Sequence, residues 1–121
     1  MDVKKPEIFI AQASDSRLFQ TALYGIEEEG IPFREINDSD IENLSNMSTV
    51  EKAYQAALAS QLGVGLAYDE NFAYLHQKNL PKDEPLFKVS ISDQEDINHL
   101  GTNAARLVKG VPFKDIKEKG E

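Results

Sequence analysis

Apolar residues along the chain follow two patterns, short strand-like runs and longer stripes with helical spacing. The first run, Ile8-Phe9-Ile10, is typical of a strand buried on both faces, and we place this strand at residues 7–11. Ser14, Asp15 and Ser16 then offer helix N-caps. The helix stripe that follows is Phe19, Ala22, Leu23 and Ile26, and Gly30 is placed to end this helix.

Predicted strands and helices continue to alternate after the first helix. A second short strand is predicted at Phe33–Ile36, and polar residues 37–46 read as a loop. Ser48 and Glu51 form a capping-box pattern ahead of a second helix, whose apolar stripe is Val50, Ala53, Tyr54, Ala57 and Leu58.

Three strands and a helix complete the pattern. Val64–Tyr68 and residues 72–76 flank a polar turn and predict a hairpin, and residues 86–91 alternate as a strand buried on one side. Ser92 and Glu95 give a second capping box. The last helix stripe is Ile97, Leu100, Ala104, Leu107 and Val108, with Gly110 and Pro112 as stop signals.

This order, β-α-β-α-β-β-β-α, predicts one α/β domain over residues 1–121. We expect a three-layer-like arrangement in which a mixed, mostly parallel five-stranded sheet carries three helices and ends in an antiparallel hairpin. The ordered core is expected at about residues 7–112, and the charged tail 113–121 is expected to fray.

Charge and composition argue against several classes of function. With 21 acidic and 13 basic residues the net charge is −8, which disfavours binding to nucleic acid or to an anionic membrane surface. The chain has no cysteine, so disulfides and thiolate metal sites are excluded. No signal-peptide pattern or membrane-span-length apolar run is present, and the expected location is the cytoplasm.

Few residues suggest an active site. Gly63-Val64-Gly65 lacks the third glycine of a nucleotide loop and precedes a strand rather than following one. His76 and His99 have no second ligand at metal-binding spacing, so we expect structural or solvated roles for them. The alternating acidic residues of the 37–46 loop lack the glycine and distal glutamate of a calcium loop.

Two charged segments remain. Glu27, Glu28 and Glu29 end the first helix, where the helix dipole favours cations, so this placement is mildly unfavourable. Either they form a solvated face, or a carboxylate is offered to a metal or to a basic patch on a partner. Successive helix positions diverge by about 100°, so at most one would be a ligand. The last helix carries Asn103, Arg106 and Lys109 near one face. Either the positive charge interacts favourably with the C-terminal end of the helix dipole, or these side chains contact a partner.

Two segments resemble the small subunits of diol/glycerol dehydratase-reactivating factors. Residues 24–32, Tyr-Gly-Ile-Glu-Glu-Glu-Gly-Ile-Pro, are similar to that family's GxEExGxP segment, and residues 100–109 are similar to its LGxNAxxLVK segment. Gly63-Val64-Gly65-Leu66 and Leu80-Pro81 fall between them in the expected order. The resemblance extends over about residues 8–112, although Glu29 is often glutamine in relatives and the 37–46 loop matches nothing in the pattern.

The resemblance implies a function without catalysis by this chain. Such factors rescue adenosylcobalamin-dependent dehydratases that hold damaged cobalamin. A large subunit with an actin-like ATPase fold binds and hydrolyses ATP, and the small subunit is thought to exchange with the dehydratase medium subunit, thereby binding the dehydratase large subunit. The resemblance also implies a fold similar to the anticodon-binding domain of class II aminoacyl-tRNA synthetases.

It further implies that Glu28 reaches a Mg²⁺ ion held mainly by the large subunit, with no cofactor bound by this chain alone. We expect the partner interface to include Glu27, Glu28, Glu29, Asn103, Arg106 and Lys109. An isolated chain with this surface uncovered could self-associate.

Two alternatives stay open on sequence grounds. The first is the dehydratase medium subunit itself, although the extra N-terminal region usual in that family is absent ahead of the first strand. The second is a flavodoxin-like ligand-binding module, which is weakened because residues 12–16 contain no glycine. The preference for glycerol or propane-1,2-diol, and any association with a bacterial microcompartment, are not encoded in recognisable motifs.

Overall fold

The computed structural model describes residues 5–11 and 17–117 as an α/β fold. The strands are β1 (Ile8–Ala11), β2 (Phe33–Ile36), β3 (Val64–Tyr68), β4 (Phe72–Gln77) and β5 (Phe87–Ser90). The α-helices are α1 (Gln20–Glu28), α2 (Thr49–Ala59) and α3 (Gln94–Lys109), and short 3₁₀ turns cover Arg17–Phe19 and Leu44–Asn46. The predicted element order is confirmed. The predicted caps at Ser14, Asp15 and Ser16 lie outside the described residues, as do tail positions 118–121.

The five strands form one sheet in the order β2-β1-β3-β4-β5. β1 pairs in parallel with β2 and β3, whereas β4 is antiparallel to both β3 and β5. Four strands therefore share one direction and β4 alone opposes them, which confirms a mixed, mostly parallel sheet with a β3–β4 hairpin.

Helices cover the sheet on both faces. On one face α1 and α3 pack over alternate strand residues such as Ile10, Leu66 and Leu75. On the other face α2 packs over Ala11 and Ala67, with Leu44 from the 37–46 loop completing this smaller core. These contacts confirm the three-layer arrangement and show that the polar loop has a structural role, since it covers the β2 end of the sheet.

Two glycines allow α1 and α3 to touch backbone to backbone. A Cβ atom at Gly101 of α3 would collide with the backbone carbonyl oxygen of Ala22 in α1. A Cβ atom at Gly25 of α1 would lie 2.5 Å from the Asn98 carbonyl oxygen and 2.8 Å from the Thr102 nitrogen. Only glycine fits at these crossings, so α1 is held at a fixed position along α3.

Helix ends show where the sequence pattern misleads. The cap of α2 is confirmed, since the Ser48 hydroxyl accepts from the Glu51 amide. The cap of α3 is Asp93, which accepts from the Asp96 amide, so the prediction of Ser92 and Glu95 is wrong by one position. Leu58, predicted in the buried stripe of α2, is 46% exposed, because α2 buries its alanine side chains instead.

The chain stays packed beyond the expected end of the core at residue 112. The side chain of Asn103 donates to the Lys114 carbonyl at 3.0 Å and accepts from its amide at 2.7 Å. The Lys117 amide donates to Asp96, and the Phe113 ring contacts Phe87 edge-on. Side chains of α3 thus bind the backbone of residues 113–117, which composition alone predicted to fray. No helix in the described part of the chain is long and apolar enough to cross a membrane.

The tight helix crossing gives a stability prediction. Gly101→Ala should lower the free energy of unfolding by on the order of 3 kcal/mol, because the added methyl group must push α1 and α3 apart. Gly30→Ala is the control. Gly30 has φ +78° and open space around it, so the cost there should be about 1 kcal/mol from backbone strain alone. Urea unfolding measures both variants, and equal losses at the two positions would contradict the close-contact account.

Candidate functional site

The predicted site centres on the C-terminal end of α1. Glu28 is the last helical residue, and the amides of Glu29 and Gly30 close the turn on the carbonyls of Ile26 and Glu27. Gly30 adopts φ +78°, which confirms its role as the residue that ends the helix. The turn therefore presents three successive carboxylates in different directions.

Glu29 turns inward and binds α3. Its Oε1 lies 2.6 Å from Lys109 Nζ and its Oε2 lies 3.3 Å from Arg106 Nη2. Lys109 Nζ also donates to the Glu29 backbone carbonyl at 3.1 Å. We call these three residues the Glu29 clasp. It joins the C-terminal ends of α1 and α3, and the two cations lie where both helix dipoles favour positive charge.

The clasp sets the electrostatics of this corner. The hydrogen bond from the Lys109 ammonium, helped by Arg106, holds the pKa of the Glu29 carboxyl below its usual value, although partial burial works against this. Arg106 Nη1 also donates to the Pro112 carbonyl at 3.2 Å, so the same guanidinium anchors the chain after α3. Arg106 Nε is buried and makes no hydrogen bond. Glu29, Arg106 and Lys109 thus bind one another within the chain, and their place at a partner interface stays a prediction.

Glu27 and Glu28 remain available on the surface. Both are exposed, and no side chain in the described part of the chain pairs with either carboxylate. Tyr24, one turn earlier and 53% exposed, lies on the same helix face because positions three and four residues apart are neighbours. We call Tyr24, Glu27 and Glu28 the α1 face. Within residues 5–11 and 17–117, no group of three or more acidic or histidine side chains could hold a metal ion alone.

A shallow depression adjoins this face. It has a volume of about 490 Å³ and is lined by Glu27, Gly30, Ile31, Pro32 and Phe33. Its apolar floor beside an unpaired carboxylate suits contact with an apolar group flanked by positive charge. Glu27 thus forms part of a larger surface feature, in which the segment between α1 and β2 supplies the apolar part.

One predicted interface residue needs correction. Asn103 is 0% exposed, and both ends of its amide are satisfied by the Lys114 backbone. Helical spacing groups it with Arg106 and Lys109, but its side chain points to the segment after α3 and not to a partner. Asn103 therefore stabilises the fold, and the predicted interface loses this residue.

The histidines hold structural positions. His76 is buried, its Nε2 lies 2.9 Å from the Lys82 carbonyl and its ring contacts Tyr54. His99 Nδ1 lies 2.7 Å from the Asp115 carbonyl. Gly63 immediately precedes β3 and has φ +73°, a backbone conformation that favours glycine. Gly65 packs directly against the backbone of α2, so both glycines have structural roles.

Comparisons with known proteins now identify the family. A family model described as dehydratase medium subunit matches residues 5–114. The diol dehydratase-reactivating factor small subunit of Klebsiella michiganensis is 43% identical over 103 residues, covering 84% of this chain and 78% of the relative. The propanediol dehydratase-reactivating factor small subunit of Salmonella typhimurium is 42% identical and covers 92% of both chains. The chain belongs to the reactivating-factor small subunit family.

Solved structures agree with this assignment. A diol dehydratase-reactivating factor complexed with ADP and Mg²⁺ superposes with a TM-score of 0.81 at 42% identity, covering 93% of this chain and all of that one. A glycerol dehydratase reactivase superposes with a TM-score of 0.76 at 25% identity, covering 92% and 98%. The resemblance seen in the sequence is confirmed, and the flavodoxin-like alternative is not supported. Membership among small subunits implies a larger partner subunit.

Sequence reasoning missed the clasp of this reactivating-factor small subunit. It separated the acidic end of α1 from the basic face of α3, whereas the fold joins them across 77 to 80 residues of chain. The signal that could have linked them is the opposite charge of two helix ends. Tyr24 was also missed, although its spacing from Glu27 and Glu28 places it on their face.

The lowered pKa of Glu29 predicts a pH dependence. The contribution of the clasp to stability should be fully present above the unfolded pKa of Glu29, near 4.5, and should be lost as pH falls through the lower folded value. Unfolding free energies of the unaltered chain and Glu29→Gln should therefore differ most at neutral pH and converge as the pH falls below the lowered pKa of the folded state. A difference that stays constant over this range would contradict an ionised clasp.

Asn103 gives a second prediction for this region. Asn103→Ala should lower the unfolding free energy by roughly 1–3 kcal/mol, because it removes both hydrogen bonds between the buried Asn103 side chain and the Lys114 backbone. Hydrogen exchange at the Lys114 amide should quicken in the same variant. Asn79→Ala, at an exposed position, is the control and should leave both measurements unchanged.

Proposed function

We propose that this chain is a non-catalytic subunit that docks on a large ATPase subunit through the α1 face. The complete factor would release damaged cobalamin from an adenosylcobalamin-dependent diol or glycerol dehydratase by subunit exchange. ATP and ADP would bind the large subunit, and this chain would contribute only a docking surface. The observation that carries the proposal is the pair of unpaired carboxylates on an exposed helix end in a member of this family.

The family comparison supports exchange. The model that matches residues 5–114 describes a dehydratase medium subunit, whereas the curated relatives are subunits of reactivating factors. A domain shared by an enzyme subunit and by its reactivating factor can occupy equivalent positions in the two assemblies. Exchange then requires that neither partner binds too tightly for this chain to leave.

Glu28 is the proposed Mg²⁺ ligand from this chain. Mg²⁺ takes oxygen ligands and is commonly held by one or two carboxylates with water or phosphate oxygens completing the set. A single exposed, unpaired carboxylate fits this requirement if the large subunit supplies the remaining ligands. A Mg²⁺ ion bound there would bridge the two subunits, and the related factor with ADP and Mg²⁺ shows that such a protein binds both.

The remaining assignments follow from charge and family. The net charge of −8 disfavours RNA binding, even if the fold resembles an anticodon-binding domain. The factor would act in the cytoplasm, where it could accompany its dehydratase into a bacterial microcompartment. A chain isolated from its large subunit could self-associate through the uncovered α1 face.

Native mass spectrometry tests exchange. The purified chain would be mixed with the large ATPase subunit and with dehydratase, in the presence of ADP or of ATP. We expect a complex with the large ATPase subunit in one nucleotide state, and a complex with dehydratase subunits in place of it in the other. Binding to dehydratase alone would make the chain a medium subunit, and binding to neither would overturn the proposal.

A Glu28 substitution tests the docking site. Glu28→Gln should weaken Mg²⁺-dependent binding to the large subunit by roughly tenfold or more, because an amide is a poor replacement for a carboxylate ligand. The residue is exposed, so unfolding free energy should change by less than about 0.5 kcal/mol. Isothermal titration calorimetry over a range of Mg²⁺ concentrations measures the affinity.

Glu27→Gln is the matched control. It removes the same charge from the adjacent exposed residue, which points about 100° away around the helix. Its effect should be smaller and nearly independent of Mg²⁺. Equal, Mg²⁺-independent losses for the two variants would indicate general charge attraction and would remove Glu28 from the metal site.

A further inference from the structure

The Glu29 clasp binds the backbone directly beside the proposed ligand. Lys109 Nζ contacts both the Glu29 carboxylate, at 2.6 Å, and the Glu29 carbonyl, at 3.1 Å. That carbonyl belongs to the residue immediately after Glu28, at the point where α1 ends. One side chain of α3 therefore fixes the last turn of α1 by two separate contacts.

We infer that Lys109 and Arg106 are positioning residues that hold the last turn of α1 so that Glu28 alone is presented to the metal at the subunit interface. This inference rests on the proposed function, because it assigns a role relative to the docking site there. The cations touch neither metal nor partner in this account. They act through Glu29, the residue that they bind.

Without the clasp this helix end has little to hold it. α1 has only 9 residues and no basic residue in its last turn, while three carboxylates lie against the negative end of its dipole. Ends of short helices fray, and a frayed turn must be reordered before Glu28 can bind. Reordering one residue corresponds to roughly a tenfold loss of affinity.

The electrostatic effect of removing Lys109 on Mg²⁺ binding has the opposite sign to the loss of order at the helix end, and it is weaker. Removing Lys109 frees negative charge at Glu29, which would draw Mg²⁺ toward this corner. Such attraction between exposed groups is screened at physiological salt and fades further at high salt. Loss of order weakens binding at low salt as well as at high salt, because the Lys109 bond to the Glu29 carbonyl is missing at both. If the clasp positions the last turn of α1, removing Lys109 should therefore weaken Mg²⁺-dependent binding at every salt concentration. If the clasp only reduces negative charge, removing Lys109 should strengthen that binding at low salt.

Hydrogen exchange in the isolated chain is the first arm of the test. The amides of Glu29 and Gly30, which close the last turn of α1, should exchange about tenfold faster in Lys109→Met. Methionine keeps most of the aliphatic part of the lysine side chain, but it can form neither hydrogen bond to Glu29 and carries no charge. Glu29→Gln keeps only one of the two oxygen acceptors, but it leaves the bond from Lys109 Nζ to the Glu29 backbone carbonyl in place, so exchange should stay within about threefold of the unaltered chain. Lys82→Met, at an exposed loop position, controls for the change in net charge.

Mg²⁺-dependent binding to the large subunit is the second arm. Lys109→Met should raise the Mg²⁺ concentration needed for half-maximal complex formation about tenfold, whereas Glu29→Gln and Lys82→Met should change it by less than about threefold. In a Glu28→Gln background, adding Lys109→Met should have no further effect on the Mg²⁺ dependence. Any general destabilisation would instead add to the Glu28→Gln loss and appear in the unfolding free energy.

The two arms separate the possible failures. Unchanged exchange at Glu29 and Gly30 in Lys109→Met overturns the positioning role, whatever the partner binding shows. Faster exchange with an unchanged Mg²⁺ requirement also overturns it, provided that Glu28→Gln still weakens binding. If Glu28→Gln itself leaves the Mg²⁺ dependence intact, the proposed metal ligand is wrong, and the positioning role relative to the metal is overturned with it.

Discussion

The backbone contact between α1 and α3 determines the geometry of the candidate docking surface. Gly25 and Gly101 let the two helices approach so closely that neither can slide along the other without a clash. This fixed crossing places the end of α1 beside Arg106 and Lys109. The clasp forms as a consequence, and in the positioning role that we infer, the direction of Glu28 depends on both features.

The proposed metal-bridged contact would suit a subunit that has to leave its partner. Apolar interfaces bind under nearly all conditions, whereas a contact completed by Mg²⁺ depends on the ion and on the partner groups that hold it. The α1 face offers only Tyr24 as a large exposed aromatic beside the two carboxylates. Such a surface can supply a specific contact without committing the chain to one assembly. The clasp binds the Glu29 carboxylate within the chain, so the proposed contact is left with the carboxylates of Glu27 and Glu28.

The sequence predicted the order of elements because hydrophobic periodicity is a local property. β2, β3 and the end of α1 at Gly30 were placed within a residue or two of their observed positions. Errors arose where a competing local group prevailed, as when Asp93 capped α3 in place of Ser92. Leu58 was misplaced because small alanines allow α2 to approach the sheet closely, which leaves the larger side chain outside.

The site was harder to predict because it is assembled from distant parts of the chain. The motif resemblance pointed to Glu28, but the pairing of Glu29 with α3 required the crossing of two helices. Asn103 was assigned to the partner interface because helical spacing cannot show that a following segment covers the residue. The family of the chain could be inferred from two short motifs, since these coincide with the contact between α1 and α3.

Hydrogen-exchange mass spectrometry of the free chain and of its complex with the large subunit tests the central claim most directly. The account predicts that complex formation with Mg²⁺ and ADP slows exchange at the end of α1, over residues 24–30, and that removing Mg²⁺ reverses this protection. Slowed exchange confined to the β4–β5 side of the sheet, with residues 24–30 unchanged, would contradict docking through the α1 face.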